Sequence, residues 1–217
     1  MSQPDRSAAE AMDRMYRHQR HIYDLTRRLF LFGRDRVLAR LQPPSGGSVL
    51  EIGCGTARNL VRAARLYPRA TFYGIDVSRE MLATARASVE RAGLADRIRL
   101  AEADAASFEP GPSLGRDGFD RVLLSFALSM MPPWRAALAH AVACVAPGGE
   151  LHIVDFGQLE GFPPSARRLL FAWLGRFGVV PEPQLAAELQ RLADAGRLSL
   201  EYEQLYRGYV HAATLRR

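Results

Sequence analysis

The chain has 217 residues, of which 48% are hydrophobic and 24% are charged, a composition typical of a globular protein with one sizeable core. All 29 basic residues are arginine, which excludes chemistry that needs a lysine amine, such as a Schiff base or a phosphate-loop lysine. The net charge of +6 is compatible with binding to nucleic acid, to an anionic membrane or to an acidic substrate, and charge alone does not distinguish among these partners.

The first 42 residues are predicted to form a helical cap. Residues 8–41 have helical spacing and arginine-rich faces, with breaks at Gly33 and at Pro43 and Pro44. No apolar run approaches the roughly 20 residues that span a bilayer, and the polar N-terminus lacks the apolar core of a signal peptide. These features predict a cytoplasmic protein.

Residues 43–217 alternate short apolar runs with helical patterns, which predicts a Rossmann-like α/β core with right-handed crossovers. The first five strands are predicted at residues 48–52, 71–75, 98–101, 119–126 and 150–156. Helices are predicted at residues 58–66, 78–92, 133–145, 164–177 and 184–195. Residues 198–204 and 206–215 are predicted to form a final antiparallel pair. We therefore expect one domain over residues 1–217, with a mostly parallel seven-stranded sheet.

A short glycine loop follows the first predicted strand. Gly53 and Gly55 lie between this strand and a helix, which is where an open α/β sheet binds a nucleotide. Asp76 ends the second strand, where its carboxylate can accept hydrogen bonds from two ribose hydroxyls. A dinucleotide site would need a third glycine at position 58, where this chain has Arg58. The alternative is a purely structural turn, with Asp76 leading the next helix.

Residues 48–155 resemble the class I S-adenosylmethionine-dependent methyltransferases, whose cofactor has no pyrophosphate. Residues 51–55 (EIGCG) resemble their motif E-x-G-x-G, and residues 74–78 (GIDVS) resemble G-x-D-x-S. Asp104 matches the family acid that holds the adenine amino group. Residues 119–122 look like the fourth strand, and residues 125–131 look like the wall of the methyl-transfer pocket. Residues 146–149 resemble the turn before the fifth strand. The resemblance implies that S-adenosylmethionine is bound by Tyr23, Arg34, Glu51, Gly53, Gly55, Asp76, Val77, Met81, Asp104, Ala105, Ser125 and Phe126.

The N-terminal segment carries a finer resemblance. Residues 16–34 follow the pattern Y-x6-Y-D-x-T-R-x3-L-x-G-R, which is similar to the diacylglyceryl-homoserine N-methyltransferases of betaine-lipid synthesis. Residues 167–177 and 206–209 look like the same group. The resemblance implies three methylations of the homoserine amine of a membrane lipid, giving diacylglyceryl-trimethylhomoserine. A soluble small molecule or a quinone precursor is the alternative acceptor.

An amine acceptor must lose its proton before attack, and its pKa is about 9 to 10. A dry pocket favours the neutral amine, and aromatic faces or a carboxylate tolerate the methylated cation. Tyr16, Tyr23, Phe126 and Asp155 are candidates for this lining, and Tyr16, Tyr23 and Asp155 are predicted as catalytic residues. The alternative for Tyr16 and Tyr23, which are seven residues apart, is packing of one helix face on the core.

Arg34 is predicted to hold a carboxylate through its planar guanidinium. This carboxylate belongs either to the methionyl tail of the cofactor or to the homoserine headgroup. The alternative is an exposed charge pair of Arg34 with Asp35.

Two apolar runs lie among arginines, at residues 29–32 and 169–173. This pattern is typical of helices on an anionic bilayer surface, and it predicts peripheral association with the inner face of the membrane. The alternative is two amphipathic helices that cover the sheet.

Nucleic acid is a poorer fit as a partner, because the aromatic residues near the arginines are embedded in apolar runs. The five histidines and two cysteines show no spacing typical of a metal site, so we expect no metal ion.

Overall fold

The computed structural model describes residues 31–217, so Tyr16, Tyr23 and the first 30 residues of the predicted cap lie outside the described residues. The strands are β1 (Ser48–Ile52), β2 (Thr71–Asp76), β3 (Ile98–Glu102), β4 (Phe119–Ser125), β5 (Val145–Phe156), β6 (Ser199–Leu205) and β7 (Val210–Arg216). The helices are α1 (Arg34–Arg40), α2 (Arg58–Leu66), α3 (Arg79–Arg91), α4 (Pro110–Leu114), α5 (Trp134–Ala143), α6 (Pro164–Gly175) and α7 (Leu185–Gly196), and a 3-10 turn lies at Leu128–Met130.

The strands of residues 31–217 form a seven-stranded sheet in the order β3-β2-β1-β4-β5-β7-β6. β1 to β5 pair in parallel, whereas β7 is antiparallel to both of its neighbours, β5 and β6. The predicted Rossmann-like fold with an antiparallel C-terminal hairpin is confirmed. The chain order reverses between β1 and β4, and this reversal opens a crevice at the carboxyl ends of the strands.

Some element boundaries differ from the predicted ones. β5 begins at Val145 because Val145 pairs with Phe119 of β4, and a register shift follows this pair. β7 begins at Val210 because the residues before it form a turn with positive φ. The short helix α4 and the 3-10 turn were not predicted, since neither carries a hydrophobic period long enough to detect.

The centre of the sheet is buried on both faces, which holds the ends of its central strands in fixed positions. Every residue of β1 is buried, as expected for a central parallel strand covered by helices on both sides. Val49 and Phe72 pack into the layer on one face, whereas Leu50 and Ile52 pack into the layer on the other. The loops that follow the strands are therefore built on a rigid base.

His152 on β5 gives the fold a predictable response to acid. Burial lowers the pKa of His152 to about 4, although Glu150 accepts a hydrogen bond from its ring at 2.9 Å. An unfolded histidine has a pKa near 6.5, so the unfolded chain binds more protons than the native one between about pH 6.5 and 4. We expect the free energy of unfolding to fall as the pH drops through this window, by up to about 1.4 kcal/mol per pH unit from this side chain. Urea unfolding at several pH values measures this slope, and equal slopes for the wild type and His152→Gln would contradict the assignment.

Candidate active site

The loop between β1 and α2 is folded tightly over the end of β2. The N–H groups of Gly53 and Cys54 both donate to the carbonyl of Ile75 at 2.9 Å. Gly53 has a φ of +72°, and a Cβ atom at this position would lie 2.9 Å from Cε of Met131. The positive φ favours glycine here, and a Cβ atom would also lie 3.0 Å from Cβ of Ala127, so the backbone of the loop faces the crevice directly.

Asp76 connects this loop to the next helix. One carboxylate oxygen accepts the N–H of Gly55 at 2.8 Å and the other accepts the N–H of Ser78 at 2.9 Å. Ser78 in turn caps α3, because its hydroxyl accepts the N–H of Met81 at 3.3 Å. A carboxylate has about four acceptor positions, so Asp76 is able to organise the loop and also bind ligand hydroxyls.

Asp104 follows β3, next to Asp76 at the same edge of the sheet. Its Oδ1 atom accepts the N–H of Ala106 at 2.7 Å, which closes a local turn. The N–H of Phe108 donates to the Asp104 carbonyl at 2.9 Å. The two acids that were predicted to bind the ribose and the adenine thus lie at neighbouring strand ends, as the parallel pairing of β2 with β3 requires.

A cavity of about 510 Å³ opens against this loop. Pockets for ligands of drug size have about 300 to 1,000 Å³, so a nucleoside with an attached amino acid fits this volume. Eight predicted cofactor residues line it: Gly53, Gly55, Asp76, Val77, Met81, Asp104, Ala105 and Phe126. The lining residues that the sequence reasoning missed are Ile75, Ala103, Pro132, Pro133 and Ala137. These are mostly apolar, and no local signal separates them from ordinary core residues.

A smaller polar cavity of about 40 Å³ shares Gly53 and Gly55 with the first. Three further predicted cofactor residues line it, namely Arg34, Glu51 and Ser125. Glu51 is buried and its Oε1 atom accepts a hydrogen bond from Asn59 at 2.6 Å. The two cavities together therefore bring together all the predicted cofactor residues within residues 31–217.

Arg34 is buried in this polar cavity, with 9% of its surface exposed. Its Nε atom has no hydrogen-bond partner within residues 31–217. Asp35 lies 3.9 Å from that atom and forms a shorter pair with Arg62 at 2.8 Å, so Arg34 has a long ion pair with Asp35 but is buried and not solvated as the alternative required. Burial and the nearby Arg58 lower the pKa of Arg34. A buried cation of this kind fits an anionic ligand group, such as the carboxylate of a methionyl tail.

Asp155 was predicted to line the acceptor pocket, but the structure places it behind the cavity wall. It is 2% exposed, and its carboxylate accepts the N–H groups of Leu128, Ser129 and Phe156 at 2.9, 3.3 and 2.8 Å. Burial raises the pKa of Asp155, against the effect of these hydrogen bonds. Asp155 therefore fixes the 3-10 turn whose Met130 lines the cavity, and a direct catalytic role finds no support in these contacts.

Both cysteines are buried thiols. Burial raises the pKa of Cys54, helped by Asp76 and Glu51, and raises that of Cys144 to about 11. About a thousandth of Cys144 is then thiolate at pH 8, and the thiolate is the reactive form. We expect iodoacetamide to label native protein at least about 100-fold more slowly than urea-unfolded protein at this pH. Mass spectrometry of each cysteine peptide measures this, and native labelling at the unfolded rate would contradict the assignment.

A crevice at the reversal of strand order, a glycine loop after β1 and acids after β2 and β3 together define the class I methyltransferase fold. Among the residues that the structure describes, no group of three or more His, Cys, Asp or Glu side chains is arranged to hold a metal ion. The polar groups of the site include the two acids, the loop, Arg34, Glu51 and Ser125.

Comparison with known proteins agrees with this assignment. Residues 49–149 match the family model described as a methyltransferase domain. The ubiquinone/menaquinone biosynthesis C-methyltransferase UbiE of Syntrophotalea carbinolica is 31% identical over 142 residues, which are 63% of this chain and 57% of that protein. The phosphatidylethanolamine N-methyltransferase of Cereibacter sphaeroides is 33% identical over 121 residues, 56% of each protein. The chain thus spans a little over half the length of these relatives.

A crystal structure of an S-adenosylmethionine-dependent methyltransferase from Aquifex aeolicus superimposes with a TM-score of 0.63 at 18% identity, covering 87% of this chain and 92% of that one. At a sequence identity this low, the superposition shows that the two proteins share a fold and nothing more specific. The chain therefore has the Rossmann-like fold of these methyltransferases, and residues 49–149 are similar to the methyltransferase domain. S-adenosylmethionine is the cofactor of this family, and the buried Arg34 beside the loop fits its amino-acid end.

Proposed function

We propose that this protein methylates the amine of diacylglyceryl-homoserine three times, giving diacylglyceryl-trimethylhomoserine. The observation that supports the lipid acceptor is an exposed surface of apolar and arginine side chains on α6 and the residues after it, which is linked to the 3-10 turn beside the cavity. The N–H of Val180, just after α6, donates to the carbonyl of Ser129 in the 3-10 turn at 2.8 Å. The neighbouring residue of that turn, Met130, lines the cavity.

Three side chains are suited to hold the cofactor. Asp76 accepts the ribose hydroxyls, Asp104 accepts the adenine amino group, and Arg34 binds a carboxylate. When bound, S-adenosylmethionine supplies an electrophilic methyl group, to which the acceptor nitrogen forms a new C–N bond as the C–S bond breaks onto sulfur. The chain's own task is to hold the acceptor in line, and proximity and orientation provide a large part of such a rate enhancement.

The apolar wall of the cavity acts on the acceptor amine. Phe126, Met130 and Met131 exclude water, and low polarity favours the neutral amine, which has the lone pair that attack requires. The proton therefore leaves the ammonium for solvent before attack, and we assign no general base among the described residues.

The surface of α6 suits a lipid bilayer. Leu169 is 73% exposed and Val180, after the helix, is 62% exposed, and Arg167, Arg168 and Arg176 in the same stretch of chain are also exposed. Arginines around exposed apolar side chains favour an anionic membrane surface, from which a lipid headgroup is delivered to the cavity. No helix within residues 31–217 has the length and apolar character needed to cross a membrane.

The membrane surface is tested by Leu169→Glu. We expect this change to weaken binding to anionic vesicles at least about tenfold, because it removes an apolar side chain from the bilayer and adds like charge. Co-sedimentation with vesicles containing phosphatidylglycerol measures the affinity. Leu66→Glu, on a half-exposed leucine of α2, is the matched control. If both variants lose the same vesicle affinity, or if Leu169→Glu loses none, α6 is an amphipathic helix that packs on the sheet and does not bind the membrane.

The acceptor is tested with purified protein, methyl-labelled S-adenosylmethionine and mixed micelles of diacylglyceryl-homoserine. We expect label in the lipid phase as mono-, di- and trimethylated headgroups, and none with Asp76→Ala. Label confined to water-soluble products, or no label, would refute the lipid amine as acceptor.

A quinone precursor is the second candidate, favoured by the similarity to the C-methyltransferase UbiE. A demethylated quinol in the same micelles distinguishes the two acceptors. A C-methylated quinone is uncharged and passes through a cation-exchange column, whereas the methylated headgroup is retained after its carboxylate is esterified.

A further inference from the structure

Five aromatic side chains form a continuous series from the wall of the large cavity to the protein surface. Their neighbouring ring centroids are 4.8 Å apart for Phe126–Phe156, 5.8 Å for Phe156–Tyr209, 5.8 Å for Tyr209–Phe32 and 5.6 Å for Phe32–Tyr206. Phe126 lines the large cavity, while Phe32 and Tyr206 are 50% and 52% exposed. We call these residues the aromatic series.

Tyr209, in the middle of the series, has an unusual hydroxyl group. The residue is 6% exposed, and its hydroxyl has no hydrogen-bond partner within residues 31–217. Burial raises the pKa of Tyr209 to about 12, so the phenol stays neutral. A buried hydroxyl without a partner is destabilising, and such groups are rare in native proteins unless a ligand or function accounts for them.

The backbone before Tyr209 forms a tight turn. The preceding residues Tyr206 and Arg207 have φ values of +52° and +60°, and Phe126 has +52°. The N–H of Gly157 donates to the carbonyl of Tyr209 at 2.9 Å, which ties the turn to the end of β5. Positive φ at Tyr206 and Arg207 is the geometry of the tight turn between β6 and β7, in which the N–H of Gly208 donates to the carbonyl of Leu205 at 3.1 Å, and this turn fixes the position of Tyr209.

The series also borders the polar cavity. Phe32, which contacts the ring of Tyr209, follows Leu31, and Leu31 lines the cavity that holds Arg34. Tyr209 is thus linked to the wall of the apolar cavity through Phe156 and Phe126, and its other ring partner, Phe32, is the chain neighbour of a residue that lines the arginine cavity. An acceptor with both an amine and a carboxylate is matched by this arrangement, because aromatic faces attract a cation and a guanidinium attracts a carboxylate.

We propose that the aromatic series is the subsite for the acceptor nitrogen and that Tyr209 is its positioning residue. The hydroxyl accepts an N–H of the neutral amine, and the ring faces hold the methylated ammonium. The inference rests on the proposed function only in that the acceptor is an amine.

Tyr209→Phe removes the hydroxyl and keeps the ring, so it tests the contribution of the hydroxyl alone. A neutral primary amine has two N–H bonds, a secondary amine has one and a tertiary amine has none. We therefore expect the first and second methylations of diacylglyceryl-homoserine to slow about tenfold and the third to keep its rate. Single-turnover assays started from the unmethylated, monomethyl and dimethyl lipids measure each step by mass spectrometry. Tyr202→Phe, in the same hairpin, is the control, and equal slowing of all three steps by Tyr209→Phe would reduce Tyr209 to a structural role and overturn the proposal.

Tetramethylammonium tests the ring faces without the lipid. In the presence of S-adenosylhomocysteine, we expect calorimetry to show binding to wild type and Tyr209→Phe, and about tenfold weaker binding to Tyr209→Leu. Tyr202→Leu should bind as wild type does. An unchanged affinity in Tyr209→Leu, or no binding to wild type, overturns the inference whatever the acceptor is. Normal tetramethylammonium binding without methylation of the lipid would instead refute the proposed function and leave the subsite intact.

Discussion

Asp76→Ala is expected to weaken the binding of S-adenosylhomocysteine at least about 100-fold. The carboxylate holds the N–H groups of Gly55 and Ser78 at 2.8 and 2.9 Å, so its loss loosens the loop and the start of α3 together. It also removes the acceptor for the ribose hydroxyls. Hydrogen bonds to a charged group are worth about 1.5 to 3 kcal/mol each, and losing two of them costs at least about 3 kcal/mol, or two powers of ten in Kd. Isothermal titration calorimetry measures this loss directly.

Two variants make the result specific to this carboxylate. Asp76→Asn keeps the shape but turns an N–H donor toward the backbone, so we expect an affinity between those of the wild type and the alanine variant. Asp96→Ala removes an exposed acid before β3 and should bind normally. If Asp76→Ala binds S-adenosylhomocysteine with wild-type affinity and keeps the wild-type melting temperature, the cofactor does not bind at this loop and the proposed site is wrong.

Arg34→Ala is expected to weaken S-adenosylhomocysteine binding by roughly 10- to 100-fold while leaving the affinity for 5′-methylthioadenosine unchanged. The second ligand keeps the nucleoside and lacks the amino-acid portion. A buried guanidinium that binds a carboxylate makes charge-assisted hydrogen bonds worth about 1.5 to 3 kcal/mol, and only the ligand with the carboxylate loses them. The buried Nε atom, without a partner in residues 31–217, is the structural basis for this expectation.

The same variant decides between the two carboxylates that Arg34 is able to hold. If Arg34 binds the homoserine headgroup, the affinity for S-adenosylhomocysteine stays at the wild-type value and the KM for diacylglyceryl-homoserine rises. Arg36→Ala is the control, since Arg36 is an exposed arginine of the same helix and pairs with Glu203 at 2.7 Å. If Arg34→Ala changes neither the affinity for S-adenosylhomocysteine nor the KM for diacylglyceryl-homoserine, Arg34 binds neither carboxylate.

The glycine loop and the two acids could be located from the sequence because their signals are local. A glycine with positive φ, a following helix and an acid at the end of the next strand lie within about 25 positions, and each is dictated by short-range chemistry. Asp76 and Asp104 accordingly lie where they were predicted. The helix predicted at residues 58–66 coincides with Arg58–Leu66, since its amphipathic period is unbroken.

The limits of β5 and β7 depended on partners far away in the chain. Val145 joins β5 because it pairs with Phe119, and β7 begins after a turn that is tied to the end of β5. Periodicity within a segment does not contain this information, because strand length is set by the neighbouring strand.

The sequence by itself determined the alternating α/β pattern, the glycine loop and the two acids, which follow from periodicity and turn chemistry. Tertiary structure alone decided that Arg34 is buried, that Asp155 faces three backbone N–H groups and that Tyr209 lies between Phe156 and Phe32. The physical reason is that burial and hydrogen-bond partners of a side chain arise from contacts between distant segments. An arginine, an aspartate or a tyrosine has the same local sequence signal whether it faces solvent, the backbone or a ligand.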